Sequence, residues 1–263
     1  PNIEEETENI VVAALPQKTG YTVSGWVDST DITHGGSSSW ALNDAVATAN
    51  GNNVIVLTAT ITANDQTLTV NYVDEGKETL AEAYTEKAKY DQLYDLTGQK
   101  KLELEANGKH YVLDSMEGDS LTGTVDGDKA VTLIYSLDED KDGIPDKYEV
   151  TITYRAVNGH FEDSKTEVTQ EYTIAEKTAD GTWEAKDTLL ADIPEASPNT
   201  GYSGESWSPV EPTEETKVTG DQTYTVSYTA NDQTLTVNYV DEGKEALAEA
   251  YTEKAKYDQL YDL

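Results

Sequence analysis

The sequence predicts a mainly β, α+β protein: small modules in tandem, arranged as an elongated chain. Three observations carry that expectation. Short stretches alternate β-branched or aromatic residues with polar ones, as in QTLTVNYV (66–73), KAVTLIYSL (129–137), YEVTITYRAV (148–157), EVTQEYTI (167–174) and QTYTVSYT (222–229), with NGK, DGDK and ADG turn clusters along the chain. Residues 62–96 recur at 229–263 with one change, Thr79 against Ala246, at an offset of 167. Near-identity over so long a stretch exceeds what a shared fold demands, since folding physics fixes only a pattern of polarity. It marks duplication of the coding DNA, as in tandem arrays. Third, the chain has 17 Tyr but a single Phe and a single Met, which favours half-wet positions on thin β modules over deep cores.

The elements follow in order. Residues 1–63 form a first module, in which the apolar stretch VVAALPQKT (11–19) leads to GYTVSGW (20–26) and then to a Ser/Gly-rich loop. This module is expected to be incomplete at its start. Residues 64–137 form the second module. Residues 138–149 are an acidic linker, 150–230 a third module and 231–263 a partial copy of the second. The third module echoes the first: LLADIPEASPNT (189–200) precedes GYSGESW (201–207), which again places Trp six residues after Gly. Both lead to a strand ending in T-A-N-D-Q. The segment ETLAEAYTEKAKYDQLYDL (78–96) reads as helix by propensity. Its apolar spacing makes a poor stripe, however, and Tyr84, Tyr90 and Tyr94 suit alternate faces, so a strand over about 80–90 and a short helix after Tyr94 are expected.

Composition bounds the function. With 18 Lys+Arg against 51 Asp+Glu the formal charge is −33, which repels nucleic acid and anionic lipid. The absence of Cys removes disulfides and thiolate-bound metals. No stretch approaches the roughly 20 apolar residues of a membrane span, and the segment from Pro1 is no signal peptide, so export and anchoring signals are expected outside this chain.

Residues 66–140 resemble the mucin-binding (MucBP) repeats of bacterial surface proteins. The resemblance rests on LTVNYVDEGKETLAEAYTEKAKYDQLYDLTG, the GKHYVL strand and the closing AVTLIYSLDED. It implies a β-grasp-like fold and a strand over 78–90. The first module is similar to the internalin B-repeat class through Lys18-Thr19-Gly20-Tyr21 and Gly25-Trp26, and the third to other β-grasp-like surface repeats.

The sharpest chemical motif is DEDKDGIPDKYE (138–149), which satisfies D-x-D-x-D-G-x5-E. A hard Ca2+ ion takes six to eight oxygens, and a tight loop aims alternate side chains at one centre only where a glycine permits the reversal. Asp138, Asp140, Asp142 and Glu149 are the candidate carboxylate ligands, Ile144 offers its carbonyl, and Asp146 ligates directly or through water. Strands on both sides argue against an EF-hand. The run resembles the calcium loops of thrombospondin type 3 repeats. A solvated acidic hinge is the alternative.

No catalytic constellation stands out. THGGSSS (33–39) lacks a G-x-S-x-G elbow, no P-loop or H-E-x-x-H occurs, and His34, His110 and His160 fall in three modules, where surface or turn positions are expected. Trp26 and Trp207 recur in equivalent places and are expected in module cores, whereas Trp40 is the candidate contact for a glycan. The expected function is non-enzymatic: a stalk or adhesive repeat region of a large extracellular protein on a bacterial cell surface, with a calcium-rigidified joint between modules. Its expected partner is a host or matrix glycan or glycoprotein. The alternative is a subunit of an extracellular fibre or sheet in which incomplete modules of neighbouring copies add strands to one another.

Overall fold

A computed structural model describes residues 9–37, 39–41 and 54–262. As the alternation predicts, it is mainly β, with 3-10 turns only at Thr97–Gln99, Asp146–Tyr148 and Glu162–Ser164 among the described residues. Contacts divide the chain into two compact units, Pro1–Gly108 with Leu113–Tyr135, and Lys109–Val112 with Ser136–Leu263.

The first strands are β1 (Asn9–Val11), β2 (Tyr21–Val27), β3 (Thr33–His34), β4 (Ser39–Ala41) and β5 (Thr58–Ala63). β1 pairs with β4, and β2 lies between β3 and β5. Trp26 packs with Ile55 and Leu57 against buried Val12, and its indole N–H donates to the Ala13 carbonyl at 2.9 Å. The turn after β2 is built on Asp28, which is 5% exposed. Its carboxylate accepts from the Thr30 amide and hydroxyl and the Ile32 amide, and His34 Nε2 lies 2.7 Å away. The His34 bond first, with those of Thr30 and Ile32, holds the Asp28 carboxyl well below the usual carboxylate range despite its burial. A depressed carboxyl contributes stability that is full above the ordinary range and is lost as pH falls towards its folded value. Asp28→Ala therefore lowers the melting temperature at neutral pH, and the gap to wild type narrows on acidification below about pH 4, measured by calorimetry across a pH series. A constant gap would contradict this account.

The next strands are β6 (Asp65–Asp74), β7 (Thr79–Lys89), β8 (Leu93–Asp95), β9 (Glu103–Ala106), β10 (Lys109–Gly118), β11 (Thr122–Thr124) and β12 (Lys129–Leu137). Five of them form one sheet in the order β7-β6-β12-β10-β9, with β6 and β12 parallel at its centre. The period of two sends Leu68, Val70 and Tyr72 inward from β6, and Val131, Leu133 and Tyr135 inward from β12, each at most 2% exposed. Segment 78–90, helix by propensity, is the edge strand β7, paired along β6. Its Glu and Lys residues line an exposed edge, which charges protect from further pairing. A 3-10 turn stands where a short helix after Tyr94 is expected.

Later strands are β13 (Glu149–Val157), β14 (Gly159–His160), β15 (Glu167–Thr173), β16 (Ala175–Lys177), β17 (Trp183–Ala185), β18 (Ser197–Pro198), β19 (Tyr202–Ser208), β20 (Gln222–Ala230), β21 (Asp232–Val237) and β22 (Tyr251–Lys256). One sheet runs β15-β13-β20-β19, again with a parallel central pair, β13 and β20. Its core holds Val150, Ile152, Tyr154, Phe161, Leu190, Val218, Tyr224, Val226 and Tyr228, with Trp207 packed at the side.

Tyr72, Tyr94, Tyr135, Tyr154, Tyr224 and Tyr228 are buried in the cores, whereas the other tyrosines are half-buried or exposed, as the composition predicts. Tyr135 and Tyr154 are 0% exposed. Three of the buried hydroxyls reach a backbone acceptor, whereas those of Tyr154 and Tyr228 have no hydrogen-bond partner among the described residues. Tyr72 donates to the Gln99 carbonyl at 2.9 Å, Tyr135 to that of Lys101 at 2.8 Å, and Tyr94 to that of Ser120 at 2.9 Å.

The hairpin β21–β22 repeats the sequence of β6–β7 without its environment. Tyr72 is 2% exposed and its counterpart Tyr239 47%; Tyr94 is 9% exposed and Tyr261 62%. β6 has neighbours on both edges, whereas β21 pairs only with β22 among the described residues.

Candidate metal centre

β12 ends at Leu137 and β13 begins at Glu149, so the acidic motif forms the loop between two sheet strands. Asp138 starts it from a fully buried position, and its N–H donates to the His110 carbonyl at 3.1 Å. The chain then reverses twice in the left-handed region, at Lys141 (φ 65°) and Gly143 (φ 88°). The second is the glycine the motif requires.

Backbone amides turn the carboxylates inward. Asp138 accepts from the Lys141 amide at 2.8 Å and the Gly143 amide at 3.0 Å; Asp140 accepts from Asp142 at 3.2 Å, and Asp142 from Ile144 at 2.7 Å. Asp146, in the 3-10 turn that follows buried Pro145, accepts from the Glu139 amide at 2.9 Å. These are the local turns for which aspartate is suited.

The result is convergence. One carboxylate oxygen each of Asp138, Asp140 and Asp146 lie within 4.8 Å of one another, as do those of Asp140, Asp142 and Glu149. Asp140 belongs to both groups, so all five predicted carboxylates gather around one loop. Ile144 sits among them, half-buried, directly after the glycine. Burial, followed by the charges of Asp142, Asp140, Asp146 and Asp138, pushes the Glu149 carboxyl up. Two carboxylates about 4 Å apart repel by roughly 1 kcal/mol in water and about 4 kcal/mol in a partly shielded site. The donors are hard oxygens, the set that suits calcium rather than a thiophilic metal.

His110 was not legible as part of this group. Its Nδ1 lies 3.1 Å from Asp138 Oδ2 and its side chain is only 10% exposed. His34 is likewise nearly enclosed, at 12%, against Asp28. Neither is the surface histidine its sequence context suggests, because each lies beside an aspartate. Trp40 pairs through its backbone with Ile10 across β1 and β4, and its side chain lies outside the described residues.

The parallel β6–β12 centre and its edge strand β7 belong to a segment with known relatives. Residues 67–136 and 234–263 match the MucBP domain family. The second match lies within the second copy of the duplicated sequence, while the first begins within the first copy and continues through most of β12. MucBP domains are binding modules of bacterial surface proteins, so the matched segments are of the surface-repeat, adhesion type. No curated protein matches the chain. No helix among the described residues is long and apolar enough to cross a membrane.

Proposed function

We propose that this chain is a non-enzymatic repeat region of a large extracellular surface protein, serving as an adhesive stalk. Two MucBP matches within one chain carry the reading. The module boundaries we propose are 1–63, 64–137, 150–230 and 231–263, with 138–149 as the joint. The ligand is a mucin-type glycoprotein, and Trp40 is a candidate glycan contact. Ca2+ is held at the joint by Asp138, Asp140, Asp142, Asp146, Glu149 and the Ile144 carbonyl, where it replaces carboxylate repulsion by shared coordination. The five converging carboxylates and the left-handed Gly143 support this assignment. The test is binding of the full chain to immobilised mucin in calcium-containing buffer. Saturable binding that periodate oxidation of the glycans removes is the expected result; a signal no greater than on albumin overturns the adhesive reading.

A further inference from the structure

The two Gly-Tyr runs, far apart in sequence, build the same device with the two copies of the duplicated segment. In the first, a turn closes from the Tyr21 amide to the Lys18 carbonyl at 3.0 Å, with Gly20 at φ 78°. In the second, the Tyr202 amide bonds the Asn199 carbonyl at 3.0 Å, with Gly201 at φ 86°. Each glycine carbonyl accepts the amide of the asparagine in T-A-N-D-Q, Asn64 or Asn231, at 2.8 Å. The side chain of that asparagine accepts a hydroxyl from the Gly-Tyr strand: Thr22 to Asn64 at 2.6 Å, and Ser203 to Asn231. Its own carbonyl accepts the amide of a tyrosine in the matched segment, Tyr90 at 3.0 Å or Tyr257 at 2.8 Å.

That tyrosine closes the arrangement. A Cβ at Gly20 would collide with the Tyr90 ring, and one at Gly201 with the Tyr257 ring. The glycines are therefore needed twice, for a left-handed φ and for the space the ring fills. The same rings meet the Gly-Tyr tyrosines edge to face, Tyr21 and Tyr90 at 5.7 Å and 67°, Tyr202 and Tyr257 at 5.6 Å and 73°. The first site adds contacts of its own, Lys18 over the Tyr21 ring at 3.9 Å and the Tyr21 hydroxyl donating to Asp91 at 2.6 Å.

We propose that the Thr-Gly-Tyr turn is a socket for the tyrosine of the MucBP-type segment that follows it, clamping the two so that they move as one body. The chain spacing between socket and asparagine differs, from Gly20 to Asn64 in one case and from Gly201 to Asn231 in the other, yet the contacts coincide. A coincidence of linker length does not produce that. Ordinary connections between small domains leave relative motion as the default, and this socket removes it.

The absence of cysteine makes the test direct, since spin labels attach only where cysteines are introduced. Labels at Ser24→Cys and Thr85→Cys report the first socket in the full chain, and Ser206→Cys with Thr252→Cys the second; all four positions are exposed. Double electron–electron resonance should give a narrow distance distribution for each pair. Tyr90→Ala broadens the first about twofold and Tyr257→Ala the second, while Tyr90→Phe, which keeps the ring, leaves the first narrow. Gly20→Ala should act as Tyr90→Ala does; should it disturb β2 itself, Tyr90→Ala decides, because Tyr90 is only half-buried. An unchanged width in Tyr90→Ala overturns the proposal. Equal broadening in Tyr90→Phe also overturns it, because the ring would then not be the clamp.

Discussion

Adding calcium should raise the melting temperature of the full chain and protect residues 138–149 from protease, and Glu149→Gln should remove most of both effects. The expectation follows from mass action: an ion at a hundredfold excess over its dissociation constant adds about 2.7 kcal/mol to the state that binds it. On a module of this size that corresponds to a shift on the order of 10 °C. Glu149 is the sensitive position because it supplies the last carboxylate of the motif from the start of β13, where burial already disfavours its charge. Its replacement by Gln keeps the shape but removes one negative oxygen from the set. Magnesium, which demands a smaller octahedral shell, should substitute poorly in a loop built for more oxygens. A chain that melts identically in calcium and in chelator would leave only a solvated acidic hinge. A Glu149→Gln variant that keeps the full calcium shift would place the ion away from Glu149 and overturn the assigned ligand set.

The duplicated sequence permits a second experiment in which the same substitution is made twice. Leu68→Ala should cost about 2–5 kcal/mol, the range for emptying a filled core position, since Leu68 is 0% exposed beside the parallel strand β12. Leu235→Ala, at the identical place in β21, should cost under about 1 kcal/mol, because that side chain is only half-buried in a two-stranded hairpin. Calorimetry of dilute protein separates the two. Equal costs under those conditions would mean that β21 has a core the structure does not show. Strand addition between copies makes a further demand: the Leu235→Ala penalty and the wild-type melting temperature must both rise with protein concentration. Concentration-independent melting would remove that reading.

What could be read from the sequence depended on how far apart the cooperating residues lie. The carboxylates of 138–149 announce themselves because one short loop holds them all, and the inward faces of β6 and β12 because alternation is local. His110 was invisible as a neighbour of Asp138, since the two meet only through the pairing of strands 28 residues apart. Segment 79–89 misleads propensity for a related reason. Its Ala, Glu and Lys residues favour a helix in isolation, but β6 supplies hydrogen bonds along one side and the charges guard the other. The burial of Tyr72, Tyr135 and Tyr94 needed knowledge of carbonyls at 99, 101 and 120 that composition does not carry. The Tyr90 ring over Gly20 likewise joins residues whose association no pattern in either run reveals.

The position of the socket within the duplication has an evolutionary consequence. Asn64 and Tyr90 both fall inside the duplicated stretch 62–96, while the glycine that receives them lies outside it. A crossover anywhere between the asparagine and tyrosine codons of two such stretches joins one half of the plug to the other half of an equivalent plug. The hybrid meets the same glycine with the same groups. The number of modules can therefore drift by recombination without a mismatched joint, and length becomes a trait selection can vary while the mechanical connection stays constant.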